Sequence, residues 1–279
     1  MTEDLRAAVD AATARLAAAG VGSPRFDAEE LAAHLLGVDR TELLRHDQLD
    51  AAAYETLITA REQRRPLQHL TGLAHFRYLS LAVGPGVFVP RPETEMMVDQ
   101  VIDHLRGGPE KPLVVDLCTG SGAIALSIAT EVPGARVHAV EADPVAHDWA
   151  VRNLAGSGVL LHLADARTAL EELAGTVDAV ISNPPYIPLQ AWESVAVEVR
   201  DHDPASALWG GGEDGLDMIR AVEARAGVLL RPGGLVAVEH ADVQGSSAPG
   251  VFRASGRWRA VADHPDLAGR DRYLTALRI

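Results

Sequence analysis

Aromatic side chains are scarce in this chain, at 4% of 279 residues, so any core must be mostly aliphatic. There is one cysteine, Cys118, which excludes an intrachain disulfide framework and suits a reducing cytoplasm. No apolar run approaches membrane-spanning length. The opening residues Met1-Thr2-Glu3-Asp4 lack the basic-then-apolar order of a secretory signal. Basic residues are outnumbered, 25 Lys and Arg against 39 Asp and Glu, for a net charge of −14. That balance argues against a protein whose main task is gripping phosphate backbones, and leaves room only for a brief RNA contact through a local patch. Repeats and low-complexity tracts are also missing. What is present is 47% hydrophobic residues, enough for a sizeable core, at a length that suggests roughly two domains. These features predict a soluble, cytoplasmic protein with no membrane partner.

The first third reads as helical. Leu5, Ala8, Val9, Ala12, Leu16 and Ala19 recur at helical spacing from Glu3 onward, and Gly20 closes the segment. Further helices are predicted from about Asp27 to Leu36, from Thr41, and from about Asp50 to Arg64. Residues 1–70 therefore form a small helical domain, which either docks a partner or caps the larger domain. Residues 71–90 carry Phe76 to Val83 and then Gly84-Pro85-Gly86, which read as a β-hairpin connector. Pro92 then suits the first turn of a helix whose positive end favours Glu93 and Glu95. Arg91 beside it is read either as a guide for substrate or as the partner of a nearby carboxylate.

Residues 91–279 alternate strands and helices. Leu113-Val114-Val115-Asp116-Leu117 is a short buried strand, followed by Cys118-Thr119-Gly120-Ser121-Gly122 and an apolar helix from Ala123. A glycine turn of this kind lets backbone approach a ligand and offers helix N–H groups to its polar end. The next strand, Ala135 to Val140, ends in Glu141, about 20 residues past the glycines, where a ribose-binding acid is expected. Further strands are predicted at Leu160–Leu163, Val177–Ser182, Leu235–Glu239, Trp258–Ala262 and Tyr273–Leu277.

The most informative stretch is Ser182-Asn183-Pro184-Pro185-Tyr186. Neither proline donates to a sheet ladder, so the strand stops there, and a residue before proline is pushed to extended geometry. In an open α/β sheet ligands bind at that end of the strand. A planar amino group fits such a turn: the Asn183 side-chain oxygen and the Pro184 carbonyl accept its two hydrogens, and Tyr186 covers its face. The plainer reading is a proline-rich loop capped by Asn183.

Acid-x-x-x-Gly-x-Gly followed by an acid-ended strand resembles the class I S-adenosylmethionine-dependent methyltransferases, with Cys118 standing where a further glycine is usual. Glycine turn before Asn-Pro-Pro-Tyr is the order of their amino-directed members. Pro90 to Glu95, Asp203-Pro204, Ala207 to Asp217, and Glu239-His240 with Gln244 resemble the HemK-type protein-(glutamine-N5) methyltransferases over nearly the whole chain. That resemblance implies a mostly parallel seven-stranded sheet with helices on both faces and an antiparallel edge, plus a helical domain at residues 1–70 that docks substrate. It implies S-adenosylmethionine as cofactor, S-adenosylhomocysteine as product and no metal. The implied cofactor contacts are Cys118, Thr119, Gly120, Ser121, Gly122, Glu141, Asp165, Ala166 and Asn183. The implied substrate contacts are Arg91, Asn183, Pro184, Pro185 and Tyr186, with Asn183, Pro184 and Tyr186 catalytic. The implied partners are peptide chain release factors, methylated on the Gln of their Gly-Gly-Gln loop.

Two competing readings remain at this point: an amino-directed methyltransferase acting on adenine or guanine in nucleic acid, and a non-catalytic binding protein that keeps the scaffold. Asp201-His202-Asp203 lacks metal-ligand spacing and is read as pairing or solvated side chains. Glu239-His240 is read as bracing for the Asn183 turn rather than as acid/base machinery.

Overall fold

The computed structural model describes residues 2–279, apart from the side chains of Trp192 and Ser194. The chain divides into two compact units, Met1–Leu73 with Ala196–His202, and Ala74–Val195 with Asp203–Ile279. Among the described residues no helix is long and apolar enough to cross a membrane.

In the first unit, helices Leu5–Ala18, Pro24–Leu36 and Ala51–Glu62 bury Leu16, Leu31 and Ile58 in one aliphatic cluster. Gly37 ends the second helix with a left-handed cap at φ 68°, the conformation only glycine adopts without strain. The segment from Thr41 is a 3₁₀ turn, Arg40–Arg45, and Leu67–Thr71 adds a short helix not foreseen in the sequence. The first helix starts two residues later than expected. Thr2–Asp4 (β1) is extended and pairs antiparallel with Gln48–Asp50 (β2). The short helix Val197–His202 also belongs here. Its Glu198 accepts from both Arg61 and Arg64, while Arg61 Nε donates to buried Asp27 at 2.7 Å.

The second unit opens on the hairpin Leu73–Phe76 (β3) and Leu79–Ala82 (β4). A 3₁₀ turn at Pro92–Thr94 leads into helix Glu95–Arg106. The main sheet comprises Leu113–Leu117 (β5), Arg136–Glu141 (β6), Leu160–Leu163 (β7), Val177–Ser182 (β8), Leu230–Glu239 (β9), Trp258–Pro265 (β10) and Asp271–Arg278 (β11). Its order is β10-β11-β9-β8-β5-β6-β7, with β11 antiparallel to both neighbours, β10 and β9, and with β9, β8, β5, β6 and β7 paired in parallel.

Alternate strand residues face opposite ways. Val115, Val180 and Val236 pack against helices Asp217–Leu229 and Ser247–Ser255. Val114, Ala179 and Ala237 pack against helices Glu95–Arg106, Ala123–Glu131 and Pro144–Leu154. Three strands run longer than predicted: β10 continues to Pro265, β11 spans Asp271–Arg278, and β9 begins at Leu230 rather than Leu235, beside a register shift in its pairing with β8. Gly233, at φ 80°, supplies the backbone that such a bulge needs.

Candidate active site

The strand order reverses at β5, so the crevice for a ligand lies at the carboxyl ends of β5 and its neighbours. Pairing puts four side-chain-bearing ends in one row. Leu117 of β5 is level with Val140 of β6 and Ser182 of β8, and Ser182 is level with Val238 of β9. The next residues are Glu141, Cys118, Asn183 and Glu239, from strands spaced about 4.8 Å apart. Ser182 Oγ donates to the Leu117 carbonyl at 2.7 Å, fastening the two central ends together.

The glycine turn closes on local partners. Thr119 Oγ1 and the Ala125 N–H donate to Asp116 Oδ2, at 2.5 and 3.1 Å. Asp116 is fully buried and its Oδ1 has no partner, and burial pushes its carboxyl up to about 7. Glu141 Oε2 accepts from Gly120 N–H at 2.8 Å, and Oε1 accepts from the N–H groups of Ala142 and Asp143 at 2.8 and 2.9 Å. The Ser121 carbonyl accepts from Asn153 Nδ2, which also bonds the Ala82 carbonyl of β4. Gly120 has φ +56°, and a Cβ there would meet nothing within 4 Å, so the turn is open on that side. Cys118 takes a left-handed φ of 62°, a conformation that favours glycine. Burial, with Glu141 and Asp116 nearby, pushes its thiol far above the usual range, so it remains protonated and unreactive.

The Asn183 turn is held by residues from other parts of the unit. Thr94 Oγ1 donates to Glu239 Oε2 at 2.6 Å, and Tyr186 Oη donates to Glu239 Oε1 at 3.1 Å. Asn183 Nδ2 donates to Thr94 Oγ1 at 3.4 Å. Burial raises the Glu239 carboxyl, opposed by the Thr94 hydroxyl, the Arg272 charge and the Tyr186 hydroxyl. Burial and the Glu239 charge push the Tyr186 phenol up, so it stays a donor. Gln244 Nε2 donates to the carbonyls of Tyr186 (2.9 Å) and Asp214 (3.0 Å), pinning the far side of the turn. Gly215 explains the glycine-rich stretch: at φ +71°, a Cβ there would lie 2.5 Å from the Tyr186 carbonyl oxygen. Among the described residues, Asn183 Oδ1 and the Pro184 carbonyl accept no hydrogen bond.

The structure thus gathers Asn183, Pro184, Pro185 and Tyr186 with the glycine turn and Glu141. Glu239 braces the turn, while His240 is fixed between the Ala241 carbonyl and Asp263. Arg91 does pair with a carboxylate: its Nη2 bonds Asp203 Oδ2 at 3.0 Å and its guanidinium lies over Phe88. Burial, partly offset by Arg91, raises the Asp203 carboxyl to about 6. Asp165 is exposed and bonded to Arg167, whereas Ala166 is 4% exposed and packs into the core, so this strand end presents Asp165. Among the described residues no group of three His, Cys, Asp or Glu could hold a metal ion. Sequence reasoning missed Thr94. It lies inside the Pro90–Glu95 segment, yet nothing local signals that its hydroxyl reaches Asn183.

A reversed parallel sheet, a glycine turn with an acid-ended neighbour, and an Asn-Pro-Pro-Tyr turn on the adjacent strand define a class I S-adenosylmethionine-dependent methyltransferase. Family models agree with both parts of the chain: the PrmC N-terminal domain matches residues 7–72, and the methyltransferase small domain matches residues 83–213. The chain is 58% identical to the release factor glutamine methyltransferase of Streptomyces coelicolor, over 98% of this chain and 97% of that one. It is 50% identical to that of Mycolicibacterium smegmatis, over 99% and 98%. The chain belongs to the release factor glutamine methyltransferase family. A 4-amino-L-phenylalanine/4-methylamino-L-phenylalanine methyltransferase of Streptomyces pristinaespiralis is 42% identical, over 98% of this chain and 95% of that one.

Proposed function

We propose that this enzyme methylates the side-chain amide nitrogen of the Gln in the Gly-Gly-Gln loop of peptide chain release factors, using S-adenosylmethionine. The observation that carries this reading is that Asn183 Oδ1 and Pro184 O, on consecutive residues after β8, accept no hydrogen bond among the described residues. A primary amide has two N–H bonds in one plane, and two neighbouring acceptors match them.

The residues present fit the cofactor. The turn is open at Gly120, where backbone can approach a ligand closely. Glu141 stands at the next strand end for a ribose, and Asp165 is exposed for the adenine end. A carboxylate has about four lone-pair directions, and three backbone N–H groups already use Glu141. Two ribose hydroxyls therefore require the Gly120 N–H to give way. When bound, S-adenosylmethionine supplies an electrophilic sulfonium methyl group.

An amide nitrogen is a poor nucleophile because its lone pair is delocalised into the carbonyl. Asn183 Oδ1 and Pro184 O hold both amide hydrogens, which fixes the nitrogen's orientation and makes its lone pair more available. The same oxygens stabilise positive charge developing on that nitrogen. Tyr186 covers the amide face and adds cation–π attraction. The amide proton lost in the exchange rests against one of these oxygens, neither basic enough to retain it, and passes to water. The helical domain at residues 1–70 is assigned to docking the body of the factor.

The test offers three substrates to the full chain with labelled S-adenosylmethionine: an intact release factor, bare nucleic acid, and free 4-amino-L-phenylalanine. Peptide mass spectrometry is expected to place the methyl on the Gly-Gly-Gln glutamine, faster on the intact factor than on a short peptide with that sequence. Methylation of the nucleic acid or the amino acid, with none on the factor, overturns the reading.

A further inference from the structure

The Asn183 amide has nearly the same shape after a half-turn about its last bond, which exchanges the oxygen for the nitrogen. Pro184 restricts the backbone of Asn183 but leaves that torsion free. An amide turned the wrong way would set N–H against N–H and repel the substrate. Holding the oxygen outward requires a partner that takes only the nitrogen.

Thr94 is such a partner. A hydroxyl carries one proton and two lone pairs. The Thr94 proton points to Glu239 Oε2 at 2.6 Å, and the other oxygen of that carboxyl already accepts from Tyr186 Oη at 3.1 Å. With its proton committed there, Thr94 Oγ1 can only accept from its other neighbour, Asn183 Nδ2 at 3.4 Å. Thr94 is 3% exposed and Glu239 is 2% exposed, so bulk water does not compete for either group. The other oxygen of Glu239 takes the Tyr186 proton, so one carboxylate sets the polarity on both sides of the turn.

The geometry points to Thr94 as a positioning residue: its hydroxyl, committed to Glu239, holds the Asn183 amide by its nitrogen and keeps the oxygen for the substrate. This rests on the methyl-transfer reading above and assigns the reaction a residue that acts through Asn183.

The test compares Thr94→Val, which keeps shape and removes the hydroxyl, with Thr94→Ser, which restores it. Thr94→Val is expected to lower kcat on release factor by about 10–100-fold, the range seen when an outer partner orienting a metal-ligating side chain is lost. KM for the factor and S-adenosylhomocysteine affinity are expected within about twofold of wild type, as for an interaction made in the transition state. Thr94→Ser is expected within about threefold of wild type, and Thr94→Val is expected to cost nothing further on top of Asn183→Ala, because the two act as one unit.

A second readout needs no turnover. In ¹⁵N NMR of the wild type, one Asn183 Nδ2 proton is expected to exchange slowly. That protection is expected to vanish in Thr94→Val and persist in Thr94→Ser. Equal losses in Val and Ser, wild-type kcat in Val, multiplicative losses with Asn183→Ala, or an unprotected wild-type amide would each overturn the assignment. Should Thr94→Val not fold, the wild-type and Thr94→Ser signals decide. Should the wild type not methylate the factor, the functional reading fails, and the amide signal still reports on Thr94.

Discussion

Two turns leave the paired residues Leu117 and Ser182, one strand spacing apart, and they are built in opposite senses. The glycine turn is open at Gly120 and is closed by acids near it in the chain. Thr119 bonds Asp116 three residues away, and Gly120 bonds Glu141, 21 residues away. The Asn183 turn shows carbonyl oxygens and is closed from afar. Thr94 and Glu239 are 145 residues apart, Asn183 and Thr94 are 89 apart, and Gln244 and Tyr186 are 58 apart. A glycine turn leading into a helix lets backbone approach the polar end of a nucleotide-like ligand. An acceptor-rich turn suits an amine or amide, whose hydrogens are positive and become more so as the nitrogen reacts. On the proposed function, the first turn holds cofactor and the second holds substrate, and substitutions in each should separate affinity from rate.

The largest effect is expected at Asn183. Asn183→Ala removes one acceptor and leaves a substrate N–H unpaired, so kcat should fall by about 10²–10³, the loss seen when a comparable preorganised group is removed elsewhere. Affinity for S-adenosylhomocysteine, measured by calorimetry, should change only modestly. Asn183→Asp keeps an acceptor oxygen and should retain partial activity. Folded Ala and Asp variants with equal, near-wild-type rates would make Asn183 a turn residue only, and the contrast between the turns would collapse.

The same contrast explains what was legible in the sequence. Glycine turn, acid-ended strand and Asn-Pro-Pro-Tyr are contiguous or near-contiguous patterns, so the parallel sheet and the residues at its edge could be read directly. The Thr94–Glu239–Tyr186 cluster could not, because a threonine before a helix reads as an ordinary turn residue until folding brings Glu239 beside it. The same holds for Thr2–Asp4, whose pairing with Gln48–Asp50 outweighs the helical spacing that begins at Glu3. It holds also for Val197–His202, which joins the helical unit through Glu198 although the sequence places it deep in the sheet domain. Arg91 was ambiguous for a related reason: its carboxylate, Asp203, is 112 residues away.

A middle-sized effect, opposite in kind to that of Asn183→Ala, is expected at Glu141. Glu141→Ala should weaken cofactor binding by about 1–3 kcal/mol, the range for a charge-assisted hydrogen bond lost from a site. With cofactor at saturation, kcat should stay close to wild type. Because Glu141 also accepts from Gly120, Ala142 and Asp143, the comparison needs Glu141→Gln, which keeps the shape with a weaker acceptor. If calorimetry finds unchanged cofactor affinity in both variants, Glu141 only caps the glycine turn.

The smallest effect is expected at Cys118, and it tests whether local closure alone sets the glycine turn. An L-residue at φ 62° carries strain of about 1–2 kcal/mol that glycine does not. Cys118→Gly removes that strain. Against it stand the greater freedom of glycine in the unfolded chain, about 0.5–1 kcal/mol, and the lost packing of a half-buried side chain. The balance favours the variant by at most about 1 kcal/mol, or about 2–4 °C in Tm for a domain of this size. Since burial keeps the thiol protonated, no nucleophile is removed, and kcat and cofactor affinity should both match wild type. A lower Tm would mean that packing around the thiol outweighs the strained backbone. A lower kcat with the Tm unchanged would mean that the turn after β5 acts on the reaction itself, against the division drawn between the two turns.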